Sequence, residues 1–243
     1  IYAELFALIT KKKEKSYEKV KVLLKENLES ITPEEQYAVL VFLENYAANQ
    51  IRLGNTAYLS IAHNLNVFSL EQGFFAKYGI ITANHYTNII NTACKARALD
   101  WAWAFAEAYS SRIDPPLSEN VTKLGKAIIL FEQKDYFGVL SILPNQSFSD
   151  THCEIRARSM LLRSAWELKE NSEYILSCCL AFEQYLCNRA KKDKSEAITA
   201  SLNFVRILKK MVRRHKNKAQ LTTEIKNLKP LYFREWLLKQ SLL

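Results

Sequence analysis

The sequence is poor in the residues that build tight turns, and it has no long apolar run. Its 243 residues include only five glycines and five prolines, which argues against a sheet-rich fold whose strands are joined by tight turns. The longest wholly apolar stretch covers residues 37–43, far short of the ~20 apolar residues that a transmembrane helix needs. We therefore expect a helical protein without a membrane span.

The motifs of common catalytic and metal sites are also missing. The glycines are isolated, so the sequence has no glycine-rich loop for a phosphate group, and its four histidines show no metal-ligand spacing. Five cysteines without a C-x-x-C pair favour free thiols in a reducing compartment. We expect a non-enzymatic, cytoplasmic protein with no cofactor and no metal site, although a chain that starts at Ile1 instead of Met need not include the natural N-terminus.

A helical periodicity runs along almost the whole chain. Apolar residues recur three or four positions apart, as amphipathic helices require. The stretch 32–35, Thr-Pro-Glu-Glu, offers a capping box with proline at the first helical position, and Ser118 and Ser172 are predicted to cap two later helices. The pattern predicts helices over residues 2–10, 16–30, 33–52, 56–71, 83–97, 99–112, 118–133, 135–143, 150–169, 172–188, 194–213, 218–227 and 230–241.

Part of this helical pattern repeats. A shift of 35 residues superposes Asp100-Trp101 on Asp135-Tyr136, and a further shift of 38 residues reaches Glu173-Tyr174. A period of roughly 34–40 residues with two helices per unit is typical of an α-solenoid.

Residues 83–190 resemble the tetratricopeptide repeat. The resemblance consists of a small or apolar residue in a first helix, followed by acid-aromatic-x-x-small-x-x-x-apolar in a second. It is carried by Ile89, Ile90, Ala93, Asp100, Trp101, Ala104 and Ala108, and again by Leu124, Gly125, Ile128, Asp135, Tyr136, Val139 and Leu143. The ending, residues 229–239, is similar to that of certain bacterial helical-repeat proteins.

The resemblance implies a specific all-α architecture. We expect a right-handed α-solenoid of stacked antiparallel helix pairs, with a repeat array over residues 1–190. A basic C-terminal helical cap over residues 191–243 continues the same solenoid and packs Trp236, Leu237 and Leu238 back onto the last pair.

The aromatic-rich stretch 98–109, ALDWAWAFAEAY, is predicted to be the second helix of one pair. Trp101, Ala104 and Ala108 fall on one helical face, where we expect an aromatic residue and two small ones to pack closely. Trp103 lies about 200° from Trp101 at 100° per residue, so the two rings face different neighbours.

Two surfaces are candidates for binding a partner. On the expected concave face, Asn88, Asn91 and Arg163 are candidate groove-lining groups. In the tetratricopeptide family, Asn, Lys and Arg at comparable positions bind peptide backbone or a terminal carboxylate, so the resemblance implies an unidentified protein or peptide as partner. A less specific hypothesis is that an apolar peptide or helix lies in the groove.

The second surface is a basic segment near the C-terminus. Residues 189–218 contain 11 Lys and Arg against two Asp and Glu. A single stripe on one predicted helix consists of Arg206, Lys209, Lys210, Arg213 and Arg214. Three interpretations of this basic segment are open. It is a cap that keeps the protein soluble, a binding site for an acidic protein partner, or a binding site for nucleic acid or an anionic membrane surface.

The sequence thus favours a scaffold that mediates protein–protein interaction through its concave face or its basic end. The alternative hypothesis is a nucleic-acid-associated protein that makes sequence-independent phosphate contacts through the 189–218 stripe.

Overall fold

The computed structural model describes residues 1–11, 14–73, 81–144, 146–213 and 218–242. The helices in these ranges are α1 (Tyr2–Lys11), α2 (Glu14–Glu26), α3 (Pro33–Arg52), α4 (Ala57–Glu71), α5 (Ala83–Lys95), α6 (Leu99–Ala108), α7 (Pro115–Glu132), α8 (Tyr136–Ile142), α9 (Thr151–Glu167), α10 (Ser172–Ala190), α11 (Glu196–Val212), α12 (Lys218–Asn227) and α13 (Arg234–Leu242). The described residues form no β-strand, only an isolated bridge between Ile81 and Ile113. The prediction of an all-α protein is confirmed, and no helix in the described ranges is long and apolar enough to cross a membrane.

Helix starts follow local side-chain chemistry. The capping box of α3 is present: the Thr32 hydroxyl accepts from the Glu35 N–H, and the Glu35 carboxylate accepts from the Thr32 N–H at 2.9 Å. The cap predicted at Ser118 is wrong, because α7 begins at Pro115 and the fixed φ of proline suits a first helical turn. The cap predicted at Ser172 is also displaced, because the side chain of Asn171 accepts from the Glu173 N–H.

The last helix starts later than predicted, at Arg234 instead of residue 230. The contacts of Arg234, its first residue, account for this later start. The Arg234 guanidinium donates to the backbone carbonyls of Ile225, Lys226 and Leu228, at the end of α12. These bonds satisfy carbonyl groups that a helix C-terminus leaves without intrahelical partners.

The chain divides into two compact units, residues 1–129 (unit 1) and 130–243 (unit 2). Within each unit, most consecutive helices pack side by side, which is typical of antiparallel helix pairs. The boundary expected from sequence, at residues 190 and 191, falls inside unit 2.

Unit 1 has an aromatic core among its first four helices. Tyr17 from α2 stacks on Tyr46 from α3 with ring centroids 5.3 Å apart, and it meets Tyr58 from α4 edge-on at 5.5 Å. Further along, the Tyr86 hydroxyl of α5 donates to the Ala106 carbonyl of α6 at 2.7 Å. The tyrosine contacts join α2, α3 and α4, and the Tyr86 hydrogen bond joins α5 to α6.

The packed face of α6 differs from the prediction. Ala104 and Ala108 are exposed, and Ala102 and Ala106 are the buried small residues. The physical reason is that Phe105 is buried, so its neighbours at i−3 and i+1 turn inward with it. Trp101 stacks on Phe105 at 5.3 Å.

Unit 2 is built around α10 and α11 and is closed by α13. Leu237 is fully buried in its core, with Trp236 and Leu238 packed against it. Trp236 lies 6.2 Å from Phe204 of α11 and 6.2 Å from Trp166 of α9, measured between ring centroids. The C-terminal helix therefore packs back onto the preceding helices, as predicted.

Candidate functional site

Three helices of unit 1 line a cleft of about 310 Å³, which we call the α3–α5 cleft. Its walls combine apolar side chains with an unusual number of amides. The polar lining residues are Glu44 and Asn45 from α3, Asn66 from α4, and His85, Asn88, Asn91, Thr92 and Lys95 from α5. The volume is at the lower end of the range of ligand pockets, about 300–1,000 Å³.

Two of the four asparagines of the cleft come from one side of α5. On α5, Asn88 and Asn91 are three residues apart and His85 is one turn earlier, so all three lie along one side of the helix. The two asparagines predicted to line a groove thus line one cleft.

Most of these amides have no partner inside the protein. Within the described part of the chain, the side chains of Asn45, Asn66 and Asn91 make no hydrogen bond. Asn66 is the least exposed of the three, at 6% for the residue, but its amide atoms are not among the fully buried atoms that lack a partner. The three amides therefore face the cleft with donor and acceptor groups that the described residues do not use. Such groups can bond a ligand that enters the cleft.

A carboxyl group lies at one end of the cleft. The Glu44 side chain is 22% exposed, and its Oε1 atom is buried without a hydrogen-bond partner among the described residues. Burial raises the pKa of Glu44 to about 7 because water no longer stabilises the charged form.

His85 faces this carboxyl group from α5, with Nε2 4.0 Å from Glu44 Oε2. Burial lowers the pKa of His85, so its imidazole is neutral at pH 7. The two groups therefore do not form an ion pair at neutral pH, and the charged carboxylate is only weakly compensated.

Arg163, the third residue predicted to line a groove, lies in unit 2 and is not among the residues of the α3–α5 cleft. Its guanidinium is 4.3 Å from the ring centroid of Phe131 and 4.4 Å from that of Phe233. Burial lowers the pKa of Arg163 to about 10, so the group stays charged. This placement makes Arg163 a packing residue that helps to hold the segment before α13.

The basic stripe is partly neutralised by neighbouring helices. Lys209 Nζ bonds Glu183 Oε2 at 2.5 Å, and Arg206 Nε lies 3.8 Å from Glu183 Oε1. Lys210 Nζ bonds both carboxylate oxygens of Glu224, at 2.5 and 2.8 Å. The Lys209 side chain is only 18% exposed, so its charge is directed toward α10 and not toward solvent.

Other basic groups of the segment remain at the surface. Lys191, Lys192, Lys194 and Arg213 are exposed. Arg214 lies outside the described residues. The stripe is therefore not one continuous set of free cations along α11.

Comparisons with protein-family models, with curated proteins and with solved structures give no match for this chain. Among the described residues, no three His, Cys, Asp or Glu side chains come together as a metal site would require.

Sequence reasoning missed Glu44, Asn45, Asn66 and His85 as members of the cleft. The first three lie on α3 and α4, where the repeat pattern is weakest. The sequence holds no specific signal for Glu44 and Asn66, because a polar residue that follows an apolar one is common on amphipathic helices.

Proposed function

We propose that this chain is a non-enzymatic protein-interaction module whose α3–α5 cleft binds an extended segment of a partner polypeptide. The observation that carries the proposal is a cleft wall that presents the carboxamides of Asn45, Asn66 and Asn91, whose hydrogen-bonding groups are not used by other described residues. A carboxamide presents one carbonyl acceptor and an NH₂ donor. It therefore pairs with both the C=O and the N–H of a peptide group.

The dimensions of the cleft suit a short extended segment. His85 and Lys95 are ten residues apart on α5 and both line the cleft, which corresponds to about 15 Å at 1.5 Å per residue. An extended chain advances about 3.3 Å per residue, so four or five ligand residues span this distance.

We also propose the finer architecture and location suggested by the sequence. The helix pairs are stacked as a right-handed solenoid of the tetratricopeptide type, and the protein is cytoplasmic. The side-by-side packing of consecutive helices within each unit supports the first point. The five free cysteines support the second.

The nucleic-acid hypothesis receives less support from the geometry. Two of the five stripe residues, Lys209 and Lys210, form short ion pairs with acidic side chains. Counterion release by phosphate binding depends on the number of cations free to contact the backbone, and these pairs reduce that number.

A peptide selection tests the proposal. The full chain is used to select binders from a phage-displayed library of random 12-residue peptides, and enriched peptides are measured by fluorescence anisotropy. The cleft variant is Asn45→Ala/Asn91→Ala. The matched control is Asn49→Ala/Asn64→Ala, because Asn49 and Asn64 are exposed asparagines of α3 and α4 outside the cleft.

We expect the cleft variant to bind enriched peptides about 30-fold more weakly, since each lost hydrogen bond costs about 1 kcal/mol. The control variant keeps its affinity within twofold. The proposal is overturned if no peptide is enriched, or if both variants bind as tightly as the unchanged chain.

A further inference from the structure

We propose that the α3–α5 cleft selects a segment with a positively charged nitrogen, a lysine ammonium or an arginine guanidinium, and binds that nitrogen at the Glu44 carboxylate. This inference rests on the proposed function and specifies the chemistry of the ligand. It starts from the two oxygens of Glu44, of which Oε1 is buried without a partner among the described residues. Oε2 lies 4.0 Å from His85 Nε2.

The groups around Glu44 leave its negative charge poorly compensated. From α5, His85 is neutral at pH 7 because burial lowers its pKa. From α2, Tyr17 stays protonated because burial, aided by nearby charges that include Glu44, raises its pKa. The Tyr17 hydroxyl is itself buried and unpartnered within the described residues. On α3 itself, Tyr46 lies against Tyr17.

Among the described residues that line the cleft, Glu44 is the one acidic side chain. The residues that α4 contributes are Leu59, Ala62 and Asn66, none of which titrates. Lys95 lines the cleft ten residues along α5 from His85, about 15 Å away by helix rise. The cleft therefore has an acidic end and a basic end, and a ligand cation is favoured at the Glu44 end alone.

Charge compensation explains why a cation, and not an anion or an apolar group, is the preferred occupant. A buried carboxylate is stabilised when a charged donor bonds it directly. Because Oε1 is buried while the side chain as a whole is 22% exposed, an ammonium or guanidinium group meets the carboxylate at Oε2, and the surrounding amides pair with the ligand backbone. An anion at the same place repels the carboxylate, and a methyl group leaves its charge uncompensated.

Binding of a cation is consequently linked to release of a proton from Glu44. The pKa of Glu44 is about 7, so the carboxyl group is mostly protonated at pH 5.5 and mostly charged at pH 8. If only the charged form binds the cation, apparent affinity at pH 5.5 is about 30-fold lower than at pH 8. Protonation of His85 at low pH acts in the same direction.

The test uses the full chain labelled with ¹³C at its glutamate carboxyl groups, with the Glu44 resonance assigned from the Glu44→Gln variant. The probes are Nα-acetyl-lysine amide and its uncharged analogue Nα-acetyl-norleucine amide. Glu34→Gln is the matched control, because Glu34 is an exposed carboxylate on the same helix. Thermal unfolding confirms that both variants are folded.

We expect the lysine probe to shift the Glu44 resonance at pH 8 with about 30-fold weaker binding at pH 5.5. The norleucine probe binds at least tenfold more weakly at pH 8, and Glu34→Gln leaves lysine binding unchanged. Equal binding of the two probes, or lysine binding that is insensitive to pH, overturns the cation site. If selected peptides bind the cleft while the lysine probe does not, only this inference fails. If the lysine probe binds while no peptide is enriched, the proposed function fails and a small-cation site remains.

Discussion

Replacing Glu44 by glutamine is expected to change how the stability of unit 1 depends on pH. The carboxyl group has a pKa of about 7 in the folded chain and its ordinary pKa of 4.5 in the unfolded chain, and burial is the cause of the difference. The folded state therefore holds the Glu44 proton more tightly than the unfolded state does. Raising the pH through this interval destabilises the folded chain, because the unfolded state gives up its proton more easily.

The magnitude follows from the two pKa values. The destabilisation due to Glu44 grows by about 2–3 kcal/mol between pH 5 and pH 8 and is nearly constant above pH 8. Glutamine has a similar volume and no titratable proton, so Glu44→Gln removes this component. The variant gains stability relative to the unchanged chain as the pH rises, and the difference is largest at pH 8.

Urea unfolding at pH 5, 6, 7 and 8 measures the effect. Because unit 2 contains Trp166 and Trp236, both are replaced by phenylalanine in every chain that is compared. The fluorescence of Trp101 and Trp103 then reports on unit 1 alone. If the difference in unfolding free energy between Glu44→Gln and its parent stays constant within 0.5 kcal/mol from pH 5 to pH 8, the burial argument is refuted.

The remaining predictions concern packing, charge and thiol reactivity. Arg163→Lys keeps the charge but loses the contacts of the guanidinium with the rings of Phe131 and Phe233, and should lower the unfolding free energy of unit 2 by about 1–2 kcal/mol in urea titrations; no loss contradicts the packing role. Glu183→Gln with Glu224→Gln should free three cations and steepen the salt dependence of binding to a double-stranded oligonucleotide, by about 0.9 in the log–log slope per added phosphate contact; an unchanged slope argues against the role given to the ion pairs. Gly125→Ala should cost about 1–2 kcal/mol, because its new Cβ would lie 2.7 Å from a methyl carbon of α5, and full stability in calorimetry contradicts this. Cys187, the exposed cysteine, should react with Ellman's reagent before the buried cysteines do, and equal rates contradict the burial pattern.

Much of the fold was predictable because the position of a helix depends largely on residues close together in the sequence. Apolar periodicity located the described helices, and the capping box at Thr32 fixed the start of α3. The errors occurred where local signals compete or contacts are distant. A proline such as Pro115 is compatible both with a loop and with the first turn of a helix, and in the structure it begins α7. The start of α13 depends on carbonyl groups six to nine residues away from Arg234.

The candidate site was less predictable because it depends on which helices become neighbours. Asn88 and Asn91 were found from the repeat pattern on α5. Glu44 and Asn66 were not, since neither sequence position reveals that its side chain meets α5. The ion pair of Lys209 with Glu183 joins residues 26 positions apart, so the basic stripe appeared more exposed in the sequence than it is in the structure.

An NMR map of a bound peptide tests the central claim most directly. A peptide enriched in the random-library selection is titrated into the ¹⁵N-labelled chain, and backbone shift changes are followed by residue. The account predicts that the largest changes occur in α3, α4 and α5 around Asn45, Asn66 and Asn91. Changes concentrated in unit 2, on the basic helix α11, would contradict the cleft as the binding site and would favour the basic end of the chain instead.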